Sequence, residues 1–241
     1  MTIKHFDIKN GFYVFGESDL LTAYHSHPVM ELIIAKKGYF TLITNEKKLE
    51  NIRFGLVKPN QRHAFEASQC EFDFVFIEPG FIDLNKLLNA IGQQSNPDGI
   101  ISIDEKYKST ITVDLLQGWC SDNHMNKSYD PRILSCINFI KENISETSIT
   151  LSGLAGHIHL STGRLSHLFK EQIGITVQKY ILWSRMKIAV DLVVKKNLDL
   201  TQASYAAGFY DAAHFSKKFK EIFGIKPSAV YNNSRIVQVP D

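Results

Sequence analysis

Three histidines and one glutamate stand at a spacing that could bind a metal ion. The segment HSHPVMELIIAKKG places His25, His27 and Glu31 in the pattern HxHx3E, and His63 ends the segment KPNQRH. Alternate residues of a strand point to the same face, so His25 and His27 can converge. Imidazole and carboxylate ligands together suit a divalent first-row metal ion.

The residues around this cluster leave three roles open. The cluster could line a pocket for a small organic effector, since Tyr24, Phe40, Phe72 and Phe74 favour a partly apolar ligand. It could hold a divalent metal, with coordination positions open for a substrate. It could also be structural only, with histidines that cap turns and fill the mouth of a barrel.

The elements that carry these residues read as strands. Short apolar runs are separated by turn residues over the first 80 positions: GFYVF at 11–15, ELIIA at 31–35, YFTLIT at 39–44, FGLV at 54–57 and FDFVF at 72–76. The last run places phenylalanine at every second position, which is typical of a half-buried strand. Many short strands predict a small all-β sandwich or barrel.

Helical patterns follow Pro79-Gly80, over residues 81–92 and 104–120. Leucines and isoleucines recur there at helical spacing. These helices could pair two subunits into a homodimer or pack on the barrel, and both can hold at once. The polar, non-periodic residues 121–129 predict a linker.

The C-terminal half repeats one amphipathic phrase. Residues 165–175 read LSHLFKEQIGI and residues 215–225 read FSKKFKEIFGI, at an offset of 50. Each copy predicts a short helix, a tight turn and a second helix, with Ser161 and Asp211 as N-caps and Gly174 and Gly224 as stops. This is the plan of a helix-turn-helix. A plain helical bundle is the alternative.

The segment between the copies has a length suited to DNA. A helix over 176–195 would be about 30 Å long, and successive major-groove faces on one side of B-DNA lie roughly 34 Å apart. One chain could therefore place two recognition helices in neighbouring grooves. A further helix is predicted from Asp130 as N-cap and Pro131 at the first helical position.

Charge is unevenly distributed along the chain. The net charge is +2, with 13 basic and 16 acidic residues over 1–129 and 14 and 9 over 130–241. Only the C-terminal half, at +5, favours binding to a polyanion.

Three cysteines without a CxxC pair fit a reducing compartment. Neither a signal peptide nor a membrane span is evident, so we expect a cytoplasmic protein.

Two stretches carry a resemblance to a known family. Residues 160–181, LSTGRLSHLFKEQIGITVQKYI, and residues 208–231, GFYDAAHFSKKFKEIFGIKPSAVY, resemble the DNA-binding domain of the AraC/XylS family of transcription regulators over about 130–235. Ser204 replaces the family's usual alanine, and Asn232 the usual arginine. The resemblance implies base contacts from Gly163, Arg164, Ser166, His167, Ala212, Ala213 and Lys217. It implies phosphate contacts from Ser161, Thr162, Lys170, Thr176, Ser216, Lys220 and Lys226.

The N-terminal half resembles a cupin barrel through HxHx3Ex6G and the segment that ends in His63, although Lys58 and Asn60 depart from the second motif. We therefore expect a cupin-like effector-binding and dimerisation domain over 1–120, a linker over 121–129 and a double helix-turn-helix over 130–235. The expected function is transcription regulation, with promoter DNA and RNA polymerase as partners. Alternatives are a cupin metalloenzyme fused to a DNA-binding module, and an effector-free regulator with an aromatic-filled barrel. The sign of regulation is left open.

Overall fold

A computed structural model describes residues 2–78, 81–82, 84–92, 99–123, 129–145 and 148–231. Contacts divide the chain into two units, residues 1–126 together with 219–241 and residues 127–218. The division falls within one helix of the C-terminal repeat. No helix in the described ranges is long and apolar enough to span a membrane.

The first unit is built on an antiparallel sheet, which confirms the predicted all-β class. The strands are β1 (Thr2–Asp7), β2 (Phe12–Leu21), β3 (Met30–Lys37), β4 (Phe40–Ile43), β5 (Lys48–Ile52), β6 (Phe54–Val57), β7 (Ala64–Ile77) and β8 (Ile100–Ser102). The main path of pairing runs β1-β2-β7-β3-β6-β8, and β4 pairs with β5 and β7. Among the described residues no pairing joins β1 to β8, so the predicted barrel is an open sheet.

Strand β7 organises this sheet because it pairs with three others. One edge of β7 pairs with β2, while the other edge pairs with β4 near Phe65 and with β3 near Phe74. Asp19 on β2 and Gln69 on β7 have positive φ angles of 51° and 54°, and the β2–β7 register shifts there. Such bulges bend a strand and increase its twist, which lets one edge of β7 serve two partners.

Helices cover one face of the sheet. The predicted helix 81–92 is α1 (Leu84–Ala90), while the predicted helix 104–120 divides into a 3-10 helix (Glu105–Ser109) and α2 (Val113–Asn123). Buried side chains of both α-helices pack on the sheet in one cluster: Leu87, Leu88 and Leu116 with Phe12, Val14, Leu32, Leu56, Val75 and Ile77. The apolar stripes of these helices thus belong to the core. Residues 121–123 of the predicted linker continue α2, and 124–128 lie outside the described residues.

The C-terminal half is helical, as predicted. The helices are α3 (Pro131–Glu142), α4 (Leu151–His157), α5 (Thr162–Ile173), α6 (Val177–Lys196), α7 (Leu200–Ala206), α8 (Ala212–Phe223) and α9 (Pro227–Tyr231). Asp130 caps α3 by accepting a hydrogen bond from the Arg132 N–H, and Pro131 follows it. In the second unit, α3, α4 and α5 share a buried apolar cluster that includes Ile133, Leu154 and Phe169.

Candidate functional site

The two copies of the repeated phrase have the same helix ends. Ser161 Oγ accepts a hydrogen bond from the Arg164 N–H at the start of α5, and Asp211 Oδ1 accepts one from the His214 N–H at the start of α8. At the other end, Gly174 N–H donates to Lys170 O and Gly224 N–H donates to Lys220 O, both at 2.9 Å. These caps set where each second helix begins and ends.

The turns before α5 and α8 also match. Leu160 N–H donates to Ala155 O at 2.9 Å, and Phe209 N–H donates to Ser204 O at 3.0 Å. In both turns this hydrogen bond therefore joins residues that are five positions apart. The left-handed position is His159 in the first copy and Gly208 in the second, with φ angles of 54° and 82°. Each copy is therefore a complete helix-turn-helix.

The second turn differs in one respect. It contains one more residue than the first, because Tyr210 stands between Phe209 and the N-cap Asp211. Tyr210 is 78% exposed. Equivalent residues of α5 and α8 are therefore 50 positions apart in the sequence, whereas equivalent residues of the two turns, such as His159 and Gly208, are 49 positions apart.

Helix α5 separates a buried face from an exposed face. Leu165, Leu168 and Phe169 are buried. The predicted base-contacting residues of this helix are all exposed: Gly163, Arg164, Ser166 and His167. Close to the helix start, exposed polar side chains are in the position from which a recognition helix contacts base edges.

Helix α8 offers less hydrogen-bonding capacity at the corresponding positions. Ala213 and Lys217 are exposed, whereas Ala212 is half-buried. Lys217 is the cation among the three residues predicted to contact bases. A methyl group can contact a thymine methyl but cannot form the bidentate bonds that distinguish guanine or adenine.

The residues predicted to contact phosphate are all exposed: Ser161, Thr162, Lys170, Thr176, Ser216, Lys220 and Lys226. Two of them also cap helices. The Ser161 hydroxyl accepts a hydrogen bond from the Arg164 N–H, and the Thr176 hydroxyl accepts one from the Lys179 N–H. A capping hydroxyl uses its oxygen as acceptor and still has its own proton to donate.

Helix α6 joins the two copies and is the predicted connecting helix. It has 20 residues, which corresponds to about 30 Å. Arg185 on α6 donates from Nε to Ile144 O at 3.1 Å, and burial lowers the pKa of its guanidinium. The turn at Gly208 passes close to the same carbonyl. A Cβ atom added to Gly208 would lie only 2.4 Å from Ile144 O. This packing was not evident from the sequence.

The first unit brings the three histidines and Glu31 together. His25 and His63 form an isolated bridge, in which each N–H donates to the other's carbonyl at 2.9 Å. His27 lies beside them, with its ring centroid 5.1 Å from that of His63. All four side chains are buried. Their ligand atoms group closely enough that His25, His27 and His63 could hold a metal ion.

Glu31 is the charged centre of this cluster. Its Oε2 lies 3.2 Å from His27 Nε2 and 3.1 Å from His63 Nε2. Burial acts to raise the pKa of Glu31, but His27 and His63 outweigh it and hold that pKa below its ordinary value. Burial also opposes a charge on His63, yet the neighbouring carboxylate raises its pKa. Burial and the two neighbouring histidines lower the pKa of His25 to about 3.

A row of aromatic rings continues from the cluster along the same face of the sheet. This aromatic row consists of Phe40, Phe65, Phe72, Phe74 and Phe76, all buried. Successive centroids are 4.8–5.9 Å apart, and the His27 ring lies 5.2 Å from that of Phe76. These are contact distances for rings. An organic effector in the row would have to displace them.

Comparison with known proteins finds a family match for the C-terminal repeat. Residues 154–233 match a family described as a helix-turn-helix domain. The arabinose operon regulatory protein of Escherichia coli is 26% identical over 158 residues, which cover 63% of this chain and about half (51%) of that protein. The transcriptional activator RhaS of Pectobacterium atrosepticum is 23% identical over 242 residues, 86% of each chain.

A solved structure shares the fold of both halves. ToxT of Vibrio cholerae, bound to an unsaturated fatty acid, aligns over 99% of this chain and 100% of its own with a TM-score of 0.59 and 15% identity. The identity is low, so the likeness concerns the fold. The helix-turn-helix match, the aligned regulators and this shared fold agree with the predicted resemblance to the AraC/XylS family of transcription regulators.

Proposed function

We propose that this protein is a sequence-specific DNA-binding transcription regulator, in which α5 and α8 enter neighbouring major grooves. The observation that carries the proposal is the duplicated helix-turn-helix, with matching caps and turns and exposed polar residues near the start of α5. The connecting helix α6 has the length that this arrangement needs. The proposed organisation is an effector-binding domain over 1–120, a linker over 121–129 and a DNA-binding domain over 130–235.

The two helices have unequal roles in this proposal. Helix α5 discriminates bases, mainly through Arg164, because an arginine fork bonds guanine in a bidentate manner. Helix α8 contributes Lys217 and apolar contacts, and therefore contributes more to affinity than to discrimination. The exposed lysines and hydroxyls predicted to contact phosphate fix the register of the protein on the duplex.

We further propose that the N-terminal domain, residues 1–120, regulates DNA binding by responding to a small ligand at the histidine–glutamate cluster. A ligand can shift the protein only if it binds one state more tightly than the other. ToxT, whose fold is similar, has been solved with an unsaturated fatty acid, which supports control of this protein by a small organic effector. We assign the chain no enzymatic activity, in keeping with relatives that are regulators.

A homodimer through α1 and α2 is part of the proposal, with RNA polymerase as a further partner on the promoter. Leu87, Leu88 and Leu116 are core residues, so they are not available to a second subunit. The exposed positions of these helices include Asn85, Lys86 and Asp114. A polar surface of this kind fits a reversible dimer better than a permanent one.

The substitution Arg164→Ala tests the proposal. The wild-type protein would first select its site from random DNA, and binding to that site and to random DNA would then be compared. We expect Arg164→Ala to weaken binding to the selected site about 10–100-fold, the cost of one good base contact of 1–3 kcal/mol, with a far smaller loss on random DNA. Arg62→Ala, which removes the same charge from the other unit, is the control. Equal losses on both DNAs would exclude base contact by Arg164, and failure to select any site would contradict the proposed function.

A further inference from the structure

We propose that Arg185 and Gly208 are positioning residues for DNA recognition. Both hold the second helix-turn-helix against the end of α3, which packs with the first, and they thereby fix the spacing at which α5 and α8 meet DNA. The observation that carries this inference is the convergence of α6 and the second turn on one backbone carbonyl, that of Ile144. The inference rests on the proposed function, because it concerns how the two helices read one site together.

The carbonyl of Ile144 belongs to the first copy of the repeat. Ile144 follows Asn143, the C-cap of α3, and its side chain packs against the cluster that α3, α4 and α5 share. Beyond the end of a helix, a backbone carbonyl must find its hydrogen-bond partner elsewhere. Arg185 on α6 supplies that partner from Nε at 3.1 Å.

Arginine is well suited to this contact. Arg185 is half-buried, and although burial lowers the pKa of its guanidinium, an arginine in a protein stays charged. A hydrogen bond from a charged donor is roughly twice as strong as one between neutral groups, and the planar guanidinium gives it a fixed direction. The contact therefore ties α6 firmly to the end of α3.

Gly208 brings the second turn to the same carbonyl. A Cβ on Gly208 would lie 2.4 Å from Ile144 O and 3.0 Å from Arg185 Nε, so a residue with a side chain cannot approach as closely. Gly208 N–H donates to Tyr205 O at 3.0 Å, which makes it part of the turn that precedes α8. We call the contact of Ile144, Arg185 and Gly208 the Ile144 junction.

The first turn has no such restriction. Its left-handed residue is His159, with a φ angle of 54°, and His159 is exposed. The two turns are otherwise alike in their hydrogen bonds. A left-handed backbone alone therefore does not require glycine in this motif, and the glycine of the second turn is explained by its packing on the Ile144 carbonyl.

A fixed junction has a consequence for the DNA site. Two linked binding modules gain most affinity when the connection matches the separation of their sites, and a looser connection gains less but tolerates other separations. One inserted base pair moves the second half of the site by about 3.4 Å along the duplex and about 35° around it. Helix α6 sets the length of the connection, and the Ile144 junction sets its orientation.

The substitution Arg185→Met in the full-length chain tests this inference. Gel-shift titrations would compare the selected site, the same site with one base pair inserted or deleted between its halves, and each half alone. We expect the wild type to lose about 10-fold or more on either altered site. Arg185→Met should bind the selected site more weakly but lose less than about 3-fold further on the altered sites, with half-site affinity unchanged.

Two further variants complete the experiment. Arg185→Lys keeps a cation that can donate to the Ile144 carbonyl, so it should restore most of the wild-type preference for one spacing. Lys141→Met, which removes an exposed cation from α3, is the control and should show the wild-type preference in full. A variant that is merely less stable loses the same fraction of binding on every DNA, so its ratio between selected and altered sites does not change.

The outcomes separate the possibilities. A folded Arg185→Met protein with the wild-type ratio would overturn the role of the junction. If Arg185→Met does not fold, the wild type still decides, because equal affinity for the selected and altered sites would show that no fixed spacing exists. Failure of the wild type to select any site with two halves would instead contradict the proposed function.

Discussion

Gly174 and Gly208 have the same left-handed backbone, with φ angles of 85° and 82°, but different surroundings. Apart from the adjacent residues of the chain, no described atom lies within 4 Å of the position that a Cβ on Gly174 would occupy, whereas a Cβ on Gly208 would lie 2.4 Å from Ile144 O and 3.0 Å from Arg185 Nε. A left-handed alanine costs about 1–2 kcal/mol by itself. The remainder of any loss at Gly208 would therefore come from the collision.

We expect Gly174→Ala to lower the free energy of unfolding by about 1–2 kcal/mol, and Gly208→Ala to lower it by about 3 kcal/mol or more because the carbonyl of Ile144 is backbone and cannot move aside freely. Urea denaturation of both variants, followed by circular dichroism, measures the difference. His159→Gly serves as the control for the first turn, because it removes left-handed strain and should not destabilise the protein. Equal losses in the two alanine variants would show that the turn at Gly208 can relax.

At the residue scale, the sequence could predict which side chains meet but not how they are oriented. The HxHx3E spacing and the facing His63 were sufficient to group the four residues. The orientation of each ring depends on a carbonyl two residues away, as for His27 and Val29. Those carbonyls are placed by turns and strand ends that have no pattern of their own in the sequence.

At the scale of elements, α6 makes a prediction about the DNA. A continuous helix of 20 residues is a spacer of fixed length, unlike a flexible linker. Inserting five base pairs between the two halves of the selected site would turn one half to the opposite side of the duplex. Inserting ten base pairs would return both halves to the same side of the duplex. It would also double the distance between them to about 68 Å, which a helix of about 30 Å cannot span.

We therefore expect both insertions to reduce affinity to that of a half-site, a loss of about 100-fold if the two contacts are linked as in other two-site binders. Gel-shift titration of the parent site, the two insertions and each half-site alone measures it. Equal affinity for the parent site and the ten-base-pair insertion would show that the connection stretches, which would contradict a fixed spacing set by α6.

The helical elements were predictable because the chain marks their ends. Asp130, Ser161 and Gly174 are caps and stops with a local cause, and they act in the structure as predicted. The strands β1, β5 and β8 were missed. Strand β5 is mostly exposed and β8 has three residues, so neither has an apolar alternation. Strands β5 and β8 form because a neighbouring strand provides backbone hydrogen-bonding partners, which depends on the tertiary structure and not on the local sequence.

At the scale of the whole molecule, the open edge of the sheet was not predictable from local pattern. Closure of a barrel depends on strand number and stagger taken together, and the short β8 ends the pairing path in the described residues. The uneven charge, in contrast, could be counted from the sequence. The C-terminal half carries a net +5 against −3 for the rest.

That charge predicts how DNA binding depends on salt. Five exposed cations belong to the proposed DNA-binding surface: Arg164, Lys170, Lys217, Lys220 and Lys226. Each phosphate that a cation neutralises contributes about −0.9 to the slope of log K against log salt concentration, so five contacts predict a slope of about −4.5. Such a slope is shallow for a regulator with two recognition helices. It implies that discrimination by α5, rather than charge alone, must supply the affinity for the specific site.

The variant Lys220→Gln should make this slope shallower, from about −4.5 to about −3.6. The change should be the same on specific and on random DNA, because a phosphate contact carries no sequence information. Titrations between 50 and 200 mM salt measure it, with Lys37→Gln in the N-terminal half as the control of equal charge. A slope unchanged in Lys220→Gln would remove this lysine from the DNA surface. An equal change in Lys37→Gln would mean that the N-terminal half also contributes to the field at the DNA, so that the acidic and basic halves act as one charge distribution rather than two.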